Sequence, residues 1–415
     1  MKRWIAVAVC VFASCSLARA QNLQNGDLVA ICGDSITEQH IYSVDIEDYL
    51  VMCKPVTGVR AEQFGWGGET SWGFLDKMPI FTLPFKPTVA TTCYGMNDGG
   101  YGPMTDDKGE RYRTAQTAVI EKLKQSGVHF IVLGSPGAVD SDTFHRPNVD
   151  AAIYNQTLGA LRDIDRDIAQ KEGVTFADIH QAMLDAMAKA KAKYGNTYVF
   201  AGPDGVHPGP NGHLVMAYAL LKAMGFDGNI GAITVDLAAK KATGSDGHKI
   251  ISFDDGVVTV QSSRYPFCFT DDPAGISTRS IIDYVPFNDD LNRFMLVVTN
   301  PGADRVNITW GNQTKEFSAA DLAKGINLAA EFLDNPFSAP FADVQKAIQQ
   351  KQARETNLDK NLYFPLNQQA HELSGSEDAI DKINASVEST FAQGAQHALD
   401  LPKPVTYTIK IDPEK

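Results

Sequence analysis

Short apolar runs and amphipathic stretches alternate along the first half of the chain. Each apolar run is followed by residues whose apolar positions recur at the spacing of a helix face. This alternation predicts a parallel sheet with helices on both faces, joined by right-handed crossovers. The predicted strands are Leu28–Cys32, Gly58–Phe64, Thr88–Tyr94, His129–Leu133 and Val174–Asp178, and the predicted helices are Ser43–Cys53, Arg111–Gln125, Ala151–Lys171, Gln181–Tyr194 and Gly212–Met224.

The pattern changes after residue 228, where short strands are broken by Asp-Asp-Gly and Asn-Pro-Gly turns. Helical periodicity returns at about residues 319–400, and alternating residues then predict a last strand. At 415 residues the chain is too long for one ordinary domain. We therefore predict an α/β domain over residues 21–228 and a smaller β-rich domain over residues 229–415 with a helical insertion. The strands predicted there are Ala232–Leu237, Lys249–Phe253, Val257–Ser262, Phe294–Thr299, Val306–Trp310 and Lys403–Ile411.

The chain begins with the pattern of a secretory signal peptide, residues 1–20. Two basic residues precede the apolar stretch Trp4–Phe12, and Ala18-Arg19-Ala20 has the small-x-small pattern of a cleavage site before Gln21. The apolar stretch is too short to span a membrane, and no later segment is long and apolar enough to do so. We expect a secreted or periplasmic protein. A lipid anchor on Cys15 is the alternative, but the residues before Cys15 fit the lipoprotein motif poorly.

The charge of the chain excludes some partners. The net charge is −13 at pH 7, and it becomes −16 without residues 1–20, which hold three basic residues and no acidic one. Nucleic acid and anionic membrane surfaces attract basic proteins, so this charge argues against both. A neutral or cationic substrate is compatible with it.

Four short segments carry the residue types that acyl transfer needs. This chemistry requires a nucleophile, a base, a group that orients the base, and donors for the tetrahedral oxyanion. One segment alone would mean little, but four of them occur in order within about half of the chain. The segments are Gly33-Asp34-Ser35-Ile36-Thr37, Gly65-Trp66-Gly67-Gly68-Glu69-Thr70, Gly95-Met96-Asn97-Asp98 and Asp204-Gly205-Val206-His207-Pro208.

Ser35 is the candidate nucleophile, because it follows an apolar strand in a sharp turn that should open a helix. A lone serine in this position is more often a helix N-cap. His207 is the candidate base and Asp204 its orienting group, three residues away in a proline-rich loop. The alternative is that Asp204 caps the next helix and His207 is an ordinary surface histidine.

Gly65 and Asn97 are the candidate oxyanion donors. Glycine lets a backbone N–H approach the substrate closely, and the asparagine amide can donate from its side chain. Seen alone, each would be an ordinary turn residue. In the doubly wound strand order 2-1-3-4-5, however, Ser35, Gly65 and Asn97 follow strands 1, 2 and 3. All three would then meet at one carboxyl edge of the sheet.

Together these segments resemble the SGNH (GDSL-type) hydrolases, a superfamily of esterases and lipases. Its name lists Ser, Gly, Asn and His, which correspond here to Ser35, Gly65, Asn97 and His207, and Asp204 lies in the family's Asp-x-x-His block. The resemblance covers about residues 27–225. It implies a flavodoxin-like three-layer α/β/α fold and a reaction that needs no metal or organic cofactor.

One position departs from the family pattern. The glycine block usually begins with an asparagine two residues before the oxyanion glycine, and here that residue is Gln63. This places the usual loop-holding hydrogen bond in question. Trp66 and Tyr94 lie beside the blocks and are candidate platforms for a sugar ring, although such aromatic residues more often pack the loops.

The resemblance implies a serine esterase in which Ser35 N–H, Gly65 N–H and the Asn97 side chain bind the oxyanion. A secreted, acidic member with a β-rich appendage is most similar to carbohydrate O-acetylesterases, so the expected partner is an ester substrate such as an acetylated glycan. One alternative is a lysophospholipase or thioesterase-type acyl hydrolase. The other is a non-catalytic carbohydrate-binding protein on an esterase scaffold.

Overall fold

The structure is a computed structural model that describes residues 23–272 and 275–414. The predicted signal peptide and Cys15 lie outside the described residues. None of the helices in the described part of the chain is long and apolar enough to cross a lipid bilayer.

The first half of the chain forms a five-stranded parallel sheet in the order β2-β1-β3-β4-β5, which confirms the predicted fold class. The register aligns Gly33 at the end of β1 with Gly65 of β2 on one side and Cys93 of β3 on the other. The loops that follow these three strands therefore start at the same level of one sheet edge. The strands are β1 Leu28–Gly33, β2 Arg60–Gly65, β3 Val89–Cys93, β4 Phe130–Gly134 and β5 Thr175–Ala177.

Helices cover both faces of this sheet. Side chains of β1 alternate between two hydrophobic cores, with Val29 and Ile31 in one and Ala30 and Cys32 in the other. The helix that the sequence predicted to open at Ser35 is α1, a single turn. The sequence did not predict α3, which contains Pro79 and has no clear polar face. The helices are α1 Ser35–Glu38, α2 Tyr42–Asp48 with a π-helical turn Tyr49–Cys53, α3 Ser71–Phe81, α4 Asp106–Gln125, α5 Ala151–Glu172, α6 Ile179–Tyr194 and α7 Pro210–Ala223.

The second half contains two further sheets around a shared core. One sheet has the order β13-β10-β6-β7, and the other is antiparallel with the order β12-β11-β14-β9-β8. Trp310 is fully buried between them, with ring centres 5.8 Å from Phe294 and 5.9 Å from Tyr407. The strands are β6 Asn229–Asp236, β7 Lys241–Gly244, β8 His248–Asp254, β9 Val257–Ser262, β10 Arg293–Thr299, β11 Arg305–Trp310, β12 Gln313–Ser318, β13 Ile326–Asn327 and β14 Val405–Pro413.

The helical segment before the last strand packs against the first sheet. Two of its long helices contact β2, the edge strand, and the Phe64 ring of β2 stacks on Phe391 at 6.2 Å. The last strand then returns between β9 and β11. The division of the chain at residue 228 stays a prediction, since these helices cover the α/β sheet. The helices are α8 Phe287–Leu291, α9 Ala319–Lys324, α10 Leu328–Glu331, α11 Ser338–Leu358 with a π-helical turn Asp359–Tyr363, α12 Phe364–Gln368 and α13 Glu377–Asp400.

Candidate active site

Ser35 is the first residue of α1, directly after the end of β1. The turn between strand and helix leaves no room for a side chain at Gly33, where a Cβ would lie 2.0 Å from Thr37 Oγ1 and 2.9 Å from the Cys93 carbonyl oxygen. Asp34 caps the helix, because its Oδ1 accepts the Ile36 N–H at 2.9 Å. The sequence thus folds into a tight strand-to-helix turn that leaves Ser35 partly exposed at the sheet edge.

A continuous chain of hydrogen bonds joins Ser35 to the loop before α7. The Ser35 Oγ lies 2.8 Å from His207 Nε2, and His207 Nδ1 lies 2.6 Å from Asp204 Oδ2. The other Asp204 oxygen accepts the backbone N–H groups of Val206 and His207, each at 3.0 Å. Since a carboxylate only accepts, His207 Nδ1 carries the proton toward Asp204 and Nε2 is left as the acceptor for the Ser35 hydroxyl.

The charge state of Asp204 suits this arrangement. Partial burial raises the pKa of its carboxyl group, but the hydrogen bonds from the His207 N–H, the His207 ring and the Val206 N–H outweigh burial and hold the pKa below its usual value. Asp204 is therefore ionised at neutral pH. An ionised carboxylate keeps the His207 ring in one tautomer and one orientation.

The other two aspartates near Ser35 are structural. Burial, with a smaller effect of the acidic neighbours Asp98 and Glu69, raises the pKa of Asp34 to about 7, although the hydrogen bond from the Ile36 N–H opposes this. Asp98 is also buried, and its oxygens accept the Ser71 N–H at 2.8 Å and the Gly95 N–H at 2.9 Å. Asp98 thereby ties the loop after β3 to the start of α3.

The glycine loop after β2 lies against α1. A Cβ at Gly65 would be 2.4 Å from the Glu38 nitrogen, so only glycine fits there. A Cβ at Gly67 would be 3.9 Å from the Ser35 Cβ, so Gly67 lies beside the serine. Gln63 is buried, and its Nε2 donates to the Thr37 carbonyl oxygen at 2.8 Å. Glutamine at this position therefore makes a hydrogen bond that holds α1.

Asn97 lies in the loop after β3, as the strand order predicts. Its Nδ2 donates to the Glu69 carbonyl oxygen at 2.9 Å, which fixes the side chain. An amide group has two N–H donors, so this bond leaves one for an incoming oxyanion. The structure thus brings the segments of Ser35, Gly65, Asn97, Asp204 and His207 to one edge of the sheet.

The prediction that Tyr94 contacts substrate is wrong. Its side chain is only 1% exposed and stacks on Phe74 at 5.0 Å in the core between the sheet and α3. Tyr94 directly follows β3, and the alternation of side chains along the strand turns it toward this core instead of the sheet edge. Trp66 remains partly exposed in the glycine loop, where its ring packs edge-on against Phe81 and Phe364 at 5.3 and 5.2 Å.

The sequence did not reveal the contribution of the second half of the chain to this site. Thr356 and Lys360, at the end of α11 and in the turn after it, hydrogen-bond to Gln63 and to Glu38. These contacts join residues about 300 positions apart. No local motif signals such pairs, because an amphipathic helix has the same pattern whichever surface it packs on.

Comparisons with known proteins agree with the fold. Residues 31–215 match the sequence model of the GDSL-like lipase/acylhydrolase family. The structure is similar over 95% of this chain and 100% of the other to a gut microbial diltiazem-metabolizing enzyme, with a TM-score of 0.72 and 23% sequence identity. It also matches an acetylxylan esterase from Geobacillus stearothermophilus over 49% of this chain and 97% of that one, with a TM-score of 0.40 and 19% identity. No curated protein sequence is significantly similar to the chain.

Proposed function

Since the chain belongs to the GDSL-like lipase/acylhydrolase family, the SGNH hydrolases, and is an ester hydrolase, we propose that Ser35 is its nucleophile, His207 its general base and Asp204 the group that orients the base. The observation that carries this proposal is the continuous hydrogen-bond chain from Asp204 through His207 to Ser35, with distances of 2.6 and 2.8 Å. A serine is a weak nucleophile unless a base removes its proton, and this chain provides the base.

The reaction follows from the positions of the protons. His207 Nε2 takes the hydroxyl proton while Ser35 Oγ bonds to the ester carbonyl carbon, and the carbonyl oxygen becomes an oxyanion. His207 then returns the proton to the alcohol oxygen as the ester C–O bond breaks, which leaves an acyl-enzyme. Water then attacks the acyl carbon and gives a proton to His207. His207 returns this proton to Ser35 Oγ as the bond between Ser35 Oγ and the acyl carbon breaks, which releases the acid and regenerates the serine.

Three donors bind the oxyanion in this proposal: the backbone N–H groups of Ser35 and Gly65 and the free N–H of the Asn97 side chain. The fixed position of Asn97, held by its bond to the Glu69 carbonyl oxygen, supports its assignment. Donors that are already in place need no reorganisation as charge develops on the oxygen.

The proposed substrates are small acyl esters, above all O-acetyl groups on carbohydrates. The net charge of −13 supports a neutral substrate over anionic phospholipid surfaces. Trp66, partly exposed beside the glycine loop, is the candidate contact for a sugar ring. The signal-like residues 1–20 support export, where a polymeric glycan would be met. Mass spectrometry of the protein recovered from periplasm or medium would test export, with Gln21 expected at the new N-terminus.

The test of the proposed function uses p-nitrophenyl esters of increasing acyl length and acetylated xylan. We expect the acetate ester to be turned over fastest and acetate to be released from the polymer. Ser35→Ala should lose at least about 1000-fold in kcat/KM while its circular dichroism spectrum is unchanged. The matched control is Ser386→Ala, an exposed serine on α13 that should keep full activity.

The same assay separates the alternatives. Preference for long acyl chains would indicate a lipase-like or thioesterase-like enzyme instead of a carbohydrate esterase. Binding of the glycan without any ester turnover would indicate a non-catalytic carbohydrate-binding protein. A folded Ser35→Ala variant with full activity would rule out Ser35 as the nucleophile.

A further inference from the structure

We propose that Lys360, supplied by the second half of the chain, is a positioning residue for the ester-hydrolysing site, because it holds Glu38 and Glu38 in turn holds the glycine loop. This inference rests on the proposed function and deepens it. It means that the site is not complete within residues 31–215, the part that matches the family.

The contact begins with a carboxylate whose two oxygens have different partners. Lys360 Nζ lies 2.5 Å from Glu38 Oε1, and the Gly67 N–H donates to Glu38 Oε2. Glu38 is the last residue of α1, three positions after Ser35, and Gly67 is two positions after Gly65. One carboxylate thus joins the helix that begins with the serine to the loop that contains the candidate donor.

Lys360 is itself held from two sides. Its ammonium group lies 4.7 Å from the centre of the Trp66 ring, within the range of a cation–π contact, as well as against Glu38. The side chains of Lys360 and Glu38 are only 24% and 27% exposed, so water competes for their charges less than at an open surface. Trp66 lies between Gly65 and Gly67. Lys360 therefore restrains this loop in two ways, directly through the Trp66 side chain and, through Glu38, at the Gly67 N–H.

A second contact comes from the same helix end. Thr356 Oγ1 donates to Gln63 Oε1 at 2.9 Å, and Gln63 Nε2 donates to the Thr37 carbonyl oxygen at 2.8 Å. Thr356 lies four residues before Lys360. The two side chains therefore fix both β2, which leads into the glycine loop, and α1, which begins with the serine.

The distance between Ser35 and the Gly65 N–H depends on these restraints. Without Lys360, Glu38 loses the cation that fixes its carboxylate, and Gly67 is then held by a side chain free to rotate. A displacement of a reacting group or donor by about 1 Å can cost about 100-fold in rate. For Lys360→Met we therefore expect kcat on p-nitrophenyl acetate to fall about 10- to 100-fold, with KM changed less than about twofold.

The variants are chosen to separate positioning from stability. Lys360→Arg keeps a cation that can reach Glu38 and should restore most of kcat. The double variant Glu38→Gln/Lys360→Met should be no slower than the slower single variant, because both act through one contact. The control is Lys346→Met, an exposed lysine on α11, which should behave like the wild type.

Labelling by a fluorophosphonate probe makes the test independent of the substrate. The wild type should be labelled at Ser35, Lys360→Met more slowly by a similar factor, and Ser35→Ala not at all. Labelling of Ser35→Ala at the wild-type rate would refute the proposed function. Normal labelling and a kcat within twofold of wild type for Lys360→Met would refute the positioning role. The positioning role would also be refuted if Lys360→Arg had the melting temperature of the wild type but did not restore the kcat lost in Lys360→Met.

Discussion

At the scale of single residues, the polar groups around Ser35 are of two kinds: those placed to take part in the reaction and those that hold the local backbone. Asp204 is ionised and partly exposed, whereas Asp34 and Asp98 are buried and serve backbone N–H groups. The chain has nine histidines, and His207 is the one that contacts the serine. His213, six residues later, is fully buried, and burial lowers its pKa to about 3. A buried neutral imidazole of this kind supports the loop but cannot act as a base for solvent-exposed substrate.

The pH dependence of activity should report the protonation of His207. Hydrogen bonds hold the pKa of Asp204 below its usual value although partial burial opposes them, so Asp204 stays ionised when the solution is acidified. Protonation of His207 at Nε2 removes the acceptor for the serine proton. We therefore expect kcat/KM on p-nitrophenyl acetate to be low in acid, where the imidazole is protonated, and to rise with pH to a plateau.

Asp34 provides the control for this measurement, because burial raises its pKa to about 7 and its own ionisation could also change the rate with pH. Asparagine is an equally good helix N-cap, so Asp34→Asn should fold normally. The rise of the rate with pH should persist in this variant if His207 causes it. A rate that does not vary between pH 5 and 9 in the wild type would contradict the assignment of His207 as the base.

The residues of the candidate site could be predicted from the sequence because acyl transfer strongly restricts the residue types it uses. Ser35, Asp204 and His207 stand in short segments with glycine or proline at positions that need unusual backbone geometry. The orientation of the Tyr94 side chain could not be predicted in the same way. A tyrosine at the end of an apolar strand can face the sheet edge or the core, and only the packing of α3 decides between them.

At the scale of elements, the contact of α11 with α2 and β2 encloses an unusual number of acidic side chains. The ammonium group of Lys351 bridges two of them, Glu47 at 2.8 Å and Glu355 at 2.9 Å. Burying a carboxylate is costly unless it is paired or protonated. The buried carboxyl groups are those of Asp45, Glu47, Asp48, Glu62, Glu355 and Asp359.

This contact should weaken as the pH rises. Burial raises the pKa of Asp45 to about 8. The pKa of Glu62 is also about 8, raised by burial and by the nearby Glu355, while Lys351 and Arg60 act against the increase. A carboxyl group whose pKa is higher in the folded protein than in the unfolded chain binds its proton more tightly when folded. Its contribution to stability is complete below the unfolded pKa, near 4, and is lost as the pH rises through about 8.

We therefore expect the melting temperature to be several degrees lower at pH 8.5 than at pH 6. Glu62→Gln carries a neutral side chain of the same shape and should reduce this difference. Asp343→Asn, an exposed acid on the outer side of α11, should leave it unchanged. Equal decreases in all three proteins would show that the buried carboxyl groups are not responsible.

The strand order of the first sheet could be predicted because apolar strands alternate with amphipathic helices. Short or exposed strands of the second half could not be predicted. The strand β12 has no buried residue, and β13 has only two residues, so neither shows a hydrophobic pattern of its own. These strands form because their neighbours offer backbone hydrogen bonds, which is a property of the folded sheet and not of the local sequence.

At the scale of the whole molecule, the second half of the chain completes the surface of the first. Phe85 beside β2 packs on Phe391 of α13 at 4.5 Å, and Lys351 of α11 donates to the Ala61 carbonyl oxygen at 2.6 Å. The sequence predicted a separate smaller domain after residue 228, because the motifs of the candidate site all lie before it. Because of these contacts across β2, we expect the two halves to unfold as one cooperative unit.

A cut in the chain between α7 and β6 tests how far the two halves depend on each other. A protease site inserted in that loop should give a nicked protein whose halves stay associated, since the contacts of α11 and α13 with β2 are remote from the cut. This nicked protein should keep most of its activity. The separate fragment 21–228 should lose at least about tenfold in kcat even where it remains soluble, because Gln63 and Glu38 lose Thr356 and Lys360. The fragment also exposes Phe64 and Phe85, so we expect a lower melting temperature. Circular dichroism and the p-nitrophenyl acetate assay measure both effects. A well-folded fragment with the activity of the intact chain would mean that the second half acts on substrate choice alone.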